Sequence, residues 1–405
     1  MMRREDHSPE ALIGLCRSLA QRFAPRAPEH DRTGKFPIAN FEDIKDAGLL
    51  GMLVPAEFGG WGANFLTYTK SIEQLAIGDA STALAFNMHN IVMGSLAGVD
   101  LSQLEGRRGE AIERFLYWAF QETIVGGKMF ATAGSEPEVG PRLSKIRTTY
   151  RRVEGGFLLN GVKSFVSMGG QADYCLVAAR AEKDPGDIPA ISYLVVERGN
   201  PGVRIQEVWD TLGMRSTCSN TMHLENCFVP TERLFLLEGL ALYRITREPQ
   251  WLIAGYNGVY LGIGTAIFEF LKGYLNKRKI AGTSESLAND PLVQHRVGEL
   301  YVALEAARAV TYEAARLVVQ SPGSDEANVA IHRAKYMVSE LGPWMASQAI
   351  RLCGGSTLFK TMPLERFYRD ARCGGAMPAK SDDCLSYVGK AMLGLDVKSP
   401  LSSYW

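Results

Sequence analysis

The sequence has no surplus charge of either sign: Lys plus Arg and Asp plus Glu each number 44 among 405 residues. That balance removes the electrostatic footprint of a nucleic-acid or anionic-membrane binder, so the expected substrate is a small molecule or a protein-borne group. No stretch reaches the ~18 consecutive apolar residues of a membrane span. No apolar run follows Arg3-Arg4, which predicts no secretory signal and a cytoplasmic chain. Histidines number only six and are scattered, and the seven cysteines (Cys16, Cys175, Cys218, Cys227, Cys353, Cys373, Cys384) form no Cys-x-x-Cys pair. Neither residue type offers metal-ligand spacing, and an odd count of thiols predicts a reduced chain without disulfides. Internal repeats, low-complexity tracts and long linkers are also missing.

What is present is an ordinary globular composition, 46% apolar and 22% charged, on a chain long enough for two or three domains. Ser8-Pro9-Glu10 predicts a helix start with a hydroxyl cap and proline in the first turn, and Leu12, Leu15, Leu19 and Phe23 mark its buried face. Asn40, with Asp43 three residues on, predicts the cap of a second helix ending near Gly48. Residues 53–62 are rich in proline and glycine and predict a loop, and a helix over about 66–77 leads to His89. From about Gly126 to Leu237 the pattern shortens to alternating runs, with strands over 174–179, 191–196 and 222–230. Helical periodicity then returns, with glycines at 258, 262 and 264 predicting close helix packing. The division is an α+β chain with helices over 1–125, a central β domain over 126–237 and a C-terminal helical bundle over 238–405.

The stretch 130–167 carries the candidate chemistry. Ala133, Gly134 and Ser135 leave room for a flat ring at the backbone, ahead of Glu136-Pro137. Asn160-Gly161 predicts a hairpin turn that would deliver Phe165 and Ser167, two residues apart, on one strand face. These segments resemble the Ala-x-Thr-Glu-Pro and Asn-Gly-x-Lys-x-Trp-Ile-Thr runs of the acyl-CoA dehydrogenase superfamily of flavoproteins. The resemblance extends in order through the 53–62 loop, Gly213-Met214-Arg215-Ser216-Thr217, Arg278 with Gly282, Arg351-Leu352-Cys353-Gly354-Gly355, and Pro363 to Arg372. It implies an N-terminal helical domain, a central β-sheet domain and a C-terminal four-helix bundle, assembled as a homotetramer or homodimer.

By the same resemblance the cofactor is FAD. Gly134, Ser135 and Ser167 would contact its ring and Phe165 would pack on it, while Arg278, Arg351, Gly354 and Gly355 would hold the diphosphate of a neighbouring subunit's FAD. A guanidinium suits that task because its planar fork matches phosphate oxygens, although an arginine ending a helix is also stabilised without any ligand. His89 reads two ways, as a hydrogen-bonded core histidine or as a proton-handling group facing the flavin.

The resemblance fails at the base. Removing an α-proton needs a carboxylate within hydrogen-bond reach, yet the position of the family's usual Glu falls on Pro378, and the alternative position falls on Leu252. Asp382 and Asp383 follow one turn later and read as capping or solvated residues of the last helix, reaching inward only if the loop is rebuilt. An arginine the family often places near the CoA phosphates falls on Ile253. Three functions therefore stand. The first is FAD-dependent oxidation of the α,β C–C bond of an acyl thioester, on CoA or a carrier protein. The second is a flavin monooxygenase or oxidase working through a C4a-hydroperoxide, with His89 and Ser167 as catalytic residues. The third is a non-catalytic flavin-binding protein. An electron-transfer flavoprotein or a flavin reductase would be the redox partner.

Overall fold

The computed structural model describes residues 7–103, 106–183, 186, 188–400 and 402. Ser8 caps helix α1 (Pro9–Phe23) by accepting from the Ala11 N–H at 3.1 Å, and Leu12, Leu19 and Phe23 are buried as their spacing predicts. A short helix not anticipated from the sequence, α2 (Ala27–Thr33), precedes α3 (Ile38–Asp46). Asn40 lies inside α3 rather than at its cap, because its amide is drawn into tertiary contacts. It accepts from Arg26 at 3.0 Å and donates to Thr82 at 2.9 Å. Helices α4 (Phe65–Gly78) and α5 (Ala80–Ala97) meet at Asp79, whose carboxylate accepts from the N–H groups of Ser81 and Thr82 and so starts α5. Nearly every residue of α5 is buried, which makes it the axis of the helical layer. The amphipathic α6 (Gly106–Ile124) completes that layer.

The strands are β1 (Phe130–Ala133), β2 (Thr149–Val153), β3 (Gly156–Val166), β4 (Tyr174–Ala181), β5 (Ile191–Glu197), β6 (Val203–Gln206), β7 (Asn220–Pro230) and β8 (Leu234–Phe235). They form one sheet in the order β6-β7-β3-β2-β4-β5-β8, with β1 parallel on β4. Asn160-Gly161 is not a turn. The β2–β3 hairpin closes earlier, at Glu154-Gly155, and β3 runs straight through Asn160-Gly161 with a bulge in its pairing to β7. Two needs override the local turn preference there. Gly161 approaches Thr148 so closely that a Cβ would sit 2.4 Å from its Oγ1, and the Asn160 side-chain oxygen accepts from the Asn226 N–H at 2.8 Å.

Short helices α7 (Ala241–Arg247) and α8 (Gln250–Ile253) lead into α9 (Asn257–Lys277), α10 (Pro291–Gln320), α11 (Asp325–Cys353), α12 (Pro363–Arg372) and α13 (Ser381–Met392). The α9 glycines let two backbones touch: a Cβ at Gly262 would lie 2.5 Å from the Glu73 carbonyl of α4, and one at Gly258 2.6 Å from Thr69 O. At this seam the buried Glu73 receives Arg308 at 3.0 Å and Thr265 at 3.1 Å, with Tyr312 on its other oxygen. The charged α12 is an intramolecular brace. Arg369 pairs with Asp31 at 2.6 Å and with Glu365, and the buried Asp370 accepts from the Met214 N–H at 2.6 Å. Residues 250–277 are long and apolar enough to cross a membrane, but 83% of their most apolar window is buried inside the fold, the mark of a core helix. The architecture is the expected one: helical, β-sheet and helical parts in that order.

Candidate functional site

The end of β1 and the length of β3 are clamped by a buried ion pair. Lys163 Nζ lies 2.6 Å from Glu136 Oε1, and both side chains are almost wholly buried. The carboxylate also accepts from the backbone N–H groups of Arg147 at 2.6 Å and Thr148 at 3.0 Å. Burial alone would raise the Glu136 pKa, but the Lys163 charge and hydrogen bond, with Thr148 and Arg147, hold it below its ordinary value. The Ser164 N–H donates to Ser135 O at 2.9 Å, fixing the two segments edge to edge. This pair was not singled out from the sequence, although both partners stand inside the quoted motifs.

Phe165 and Ser167 do not share a face. A second irregularity between Lys163 and Val166 turns Phe165 outward, at φ +57° and 63% exposed, with its ring edge-on to Trp209 at 5.9 Å between centroids. Ser167, just beyond the strand, is buried. Met168 also has positive φ, so backbone strain concentrates at this bend, as it does at functional sites. Ser167 ends a chain of hydroxyls: 2.8 Å to Ser219, 2.8 Å from Ser219 to Thr217, and 2.9 Å from Thr217 to Met214 O. A carbonyl only accepts, so Thr217 donates to it, Ser219 donates to Thr217, and Ser167 donates to Ser219. The Ser167 proton is thereby committed, and its oxygen offers only lone pairs to anything else.

His89 takes the structural role. The Phe130 N–H donates to its Nδ1 at 3.1 Å and its Nε2–H donates to Leu50 O at 2.9 Å, so both ring nitrogens are occupied. The ring is fully buried, and that burial pushes its pKa down to about 4. It is a neutral bridge between the 49–51 turn and β1, with both ring nitrogens already engaged, which favours the core reading of His89 over the catalytic one.

Gly134 opens onto the larger of two adjoining cavities, about 540 Å³. A Cβ on Gly134 would meet no atom within 4 Å, leaving space against the strand end for a ring. The wall is mostly apolar and comes from α5, β1, β4, β5 and residues 235–256, including Tyr193, Phe235 and Trp251. Arg244 and Gln250, which the sequence reading passed over, stand in it too. Among the described residues its single carboxylate is that of Glu248, which is exposed. Pro378 lines the second cavity, about 270 Å³, with Glu138 and Asp383; the two cavities share Ile245 and Leu252. The positions expected for base and thioester contacts therefore do face one region, where neither Pro378 nor Leu252 can accept a proton; the carboxylates lining it among the described residues are those of Glu248, Glu138 and Asp383. Asp382 and Asp383 occupy the first turn of α13.

Arg278, Arg351, Gly354 and Gly355 form a separate, exposed cluster. Arg278 ends α9, and the turn after α11 is tied to that helix end by the Tyr274 and Ser356 hydroxyls at 2.9 Å. Gly354 needs its φ of +83°, and a Cβ on either glycine would meet nothing within 4 Å. Arg351 touches Gln348 at 3.4 Å, and no carboxylate partner is recorded for either arginine among the described residues. Two exposed guanidinium groups beside an open diglycine turn suit a diphosphate.

A strand end with room for a ring, a buried hydroxyl beside a strained bend and an exposed basic diglycine turn in the C-terminal helices suit a flavin. Family models agree: residues 9–98 match the acyl-CoA dehydrogenase N-terminal domain, 131–227 its middle domain and 256–377 its C-terminal domain. The chain belongs to the acyl-CoA dehydrogenase superfamily and is a flavin-dependent oxidoreductase, with FAD the family's typical cofactor. It is 29% identical over 366 residues to the short-chain specific acyl-CoA dehydrogenase of Rattus norvegicus, covering 90% of this chain and 84% of the relative. A nitrososynthase from Micromonospora carbonacea var. africana superposes with a TM-score of 0.83 at 26% identity, over 96% of this chain and 97% of the other. KijD3 in complex with FMN and a dTDP-amino-keto sugar does so at 0.82 and 25%, over 98% and 96%.

Proposed function

We propose that the protein is a flavin-dependent oxygenase or oxidase of this superfamily, acting on a small, largely apolar substrate held in the 540 Å³ cavity. One observation carries the reading: among the described residues the wall that includes Gly134 has no buried carboxylate, and the usual base position is Pro378. Abstraction of a carbon-bound proton needs such a base in reach; oxygen transfer or oxidation at a heteroatom does not. The flavin, when bound, supplies the redox chemistry. The chain's own part is to notch its ring at Gly134 and Ser135, to flank it with Phe165, and to present the Ser167 lone pairs. An acceptor there favours a ring nitrogen carrying hydrogen, the reduced form, over one offering a lone pair. The exposed cluster of Arg278, Arg351, Gly354 and Gly355 would hold the FAD diphosphate of a second copy, in a homodimer or homotetramer. A flavin reductase or an electron-transfer flavoprotein would exchange electrons with it.

Dehydrogenation of an acyl thioester is the second reading, favoured by Glu248 as the one acid on the cavity wall. Anaerobic mixing of the FAD-loaded protein with saturated acyl-CoA thioesters separates the two. The proposal expects the visible flavin band to persist with every chain length; bleaching by any of them, abolished by Glu248→Gln, would establish the dehydrogenase instead.

A further inference from the structure

Arg244, on α7, stands in the wall of the large cavity as a cation without a carboxylate. Its Nη2 donates to Ser95 O, and the Phe235 ring lies 5.8 Å from its guanidinium carbon. Its Nη1 is buried and has no hydrogen-bond partner among the described residues. Glu248, one turn further along, acts on it through charge, with no ion pair recorded among the described residues. On the same wall the side-chain oxygen of Gln250 is also buried and unpartnered, although Gln250 is only 7% exposed. Most other lining side chains are apolar, Leu236, Leu240 and Trp251 among them. A desolvated charge with unfilled donors is costly, and such sites in clefts mark binding positions. A neutral carbonyl would fill the missing hydrogen bond, but only an anion would also balance the charge. The fork geometry of arginine fits a carboxylate.

We propose that Arg244 anchors a carboxylate of the molecule that fills this cavity, so that the substrate is an organic acid, either free or as the far end of a half-acid acyl group. This rests on reading the cavity as the substrate site, and not on which redox reaction occurs there.

Calorimetric titration of the FAD-loaded protein tests it, with straight-chain monocarboxylates of about four to ten carbons, sized to the cavity, each beside its primary amide. At least one acid should bind, with its amide tenfold weaker or worse. Arg244→Met should cost that acid tenfold or more and the amide distinctly less, since the amide loses a hydrogen bond but no charge pairing; Arg244→Lys should keep the preference for acid at reduced affinity. Should the methionine variant lack a cooperative melt, the lysine variant carries the comparison. Equal binding of acid and amide, no binding of any acid together with no preference for succinyl-CoA over butyryl-CoA, or wild-type affinity in the methionine variant would each overturn the proposal. Succinyl-CoA beside butyryl-CoA distinguishes the sources: a preference for succinyl-CoA that Arg244→Met abolishes places the carboxylate on an acyl group, and none, with the free acids still preferred, places it on a free acid. Because no turnover is measured, the result stands whether or not the oxygenase reading does.

Discussion

Lys163→Met removes one half of the ion pair that clamps β1 to β3. Breaking a buried pair by deleting one partner costs about 3–5 kcal/mol, because a charge is left buried without its counter-ion. Here Glu136 keeps two backbone N–H donors, from Arg147 and Thr148. They continue to solvate the carboxylate, so the lower end, about 3 kcal/mol, is expected. Glu136→Gln leaves Lys163 buried and should cost a similar amount. The double variant should lose less than the sum by about 2 kcal/mol or more, since neither charge then remains. Urea melts followed by circular dichroism give the three values, and flavin absorbance after gel filtration reports whether the Gly134–Ser135 notch survives. The reasoning fails if Lys163→Met costs under about 1 kcal/mol, or if the two single effects simply add.

Other consequences are more local. His89 and His332 are both fully buried with pKa values pushed down to about 4, so the unfolded chain takes up their protons first. Stability should fall as pH drops from about 6.5 toward 4, by up to about 3 kcal/mol for each group, and melting curves at stepped pH should show a shallower slope in His89→Gln. Ser219→Ala releases the Ser167 proton to donate; the midpoint potential of bound flavin should fall by roughly 20–30 mV, the worth of one hydrogen bond, and an unmoved potential would dismiss the hydroxyl chain as a tuning device. Gly262→Ala should cost about 1–3 kcal/mol by forcing α9 off α4, whereas Gly273→Ala, where a Cβ meets nothing within 4 Å, should be neutral or stabilising in the same denaturation assay.

The order of helical, strand and helical parts was legible because it rests on periodicity, and the family was legible because its motifs are runs of residues close in sequence. Misreadings arose where a short polar side chain had two uses. Asn40 suits a cap, but Arg26 and Thr82 claim it inside the helix. Asn160-Gly161 suits a tight turn, but Thr148 and Asn226 need it in an irregular strand. Phe165 and Ser167 were placed on one face by assuming an unbroken two-residue alternation, which the second bulge interrupts. Arg244 could not be found by motif at all, since the wall that gives it meaning is drawn from residues 91 to 256.

The seam between α4 and α9 imposes a timetable on synthesis. Glu73 sits 235 positions ahead of Arg308, the cation that neutralises it, so the opening helices emerge from the ribosome with that acid unmatched. Until the last third of the polypeptide is made, water must serve as its partner, and the surface meant for the α9 glycines stays wet. The front of the molecule therefore cannot reach its final state alone; it waits for the back to close over it.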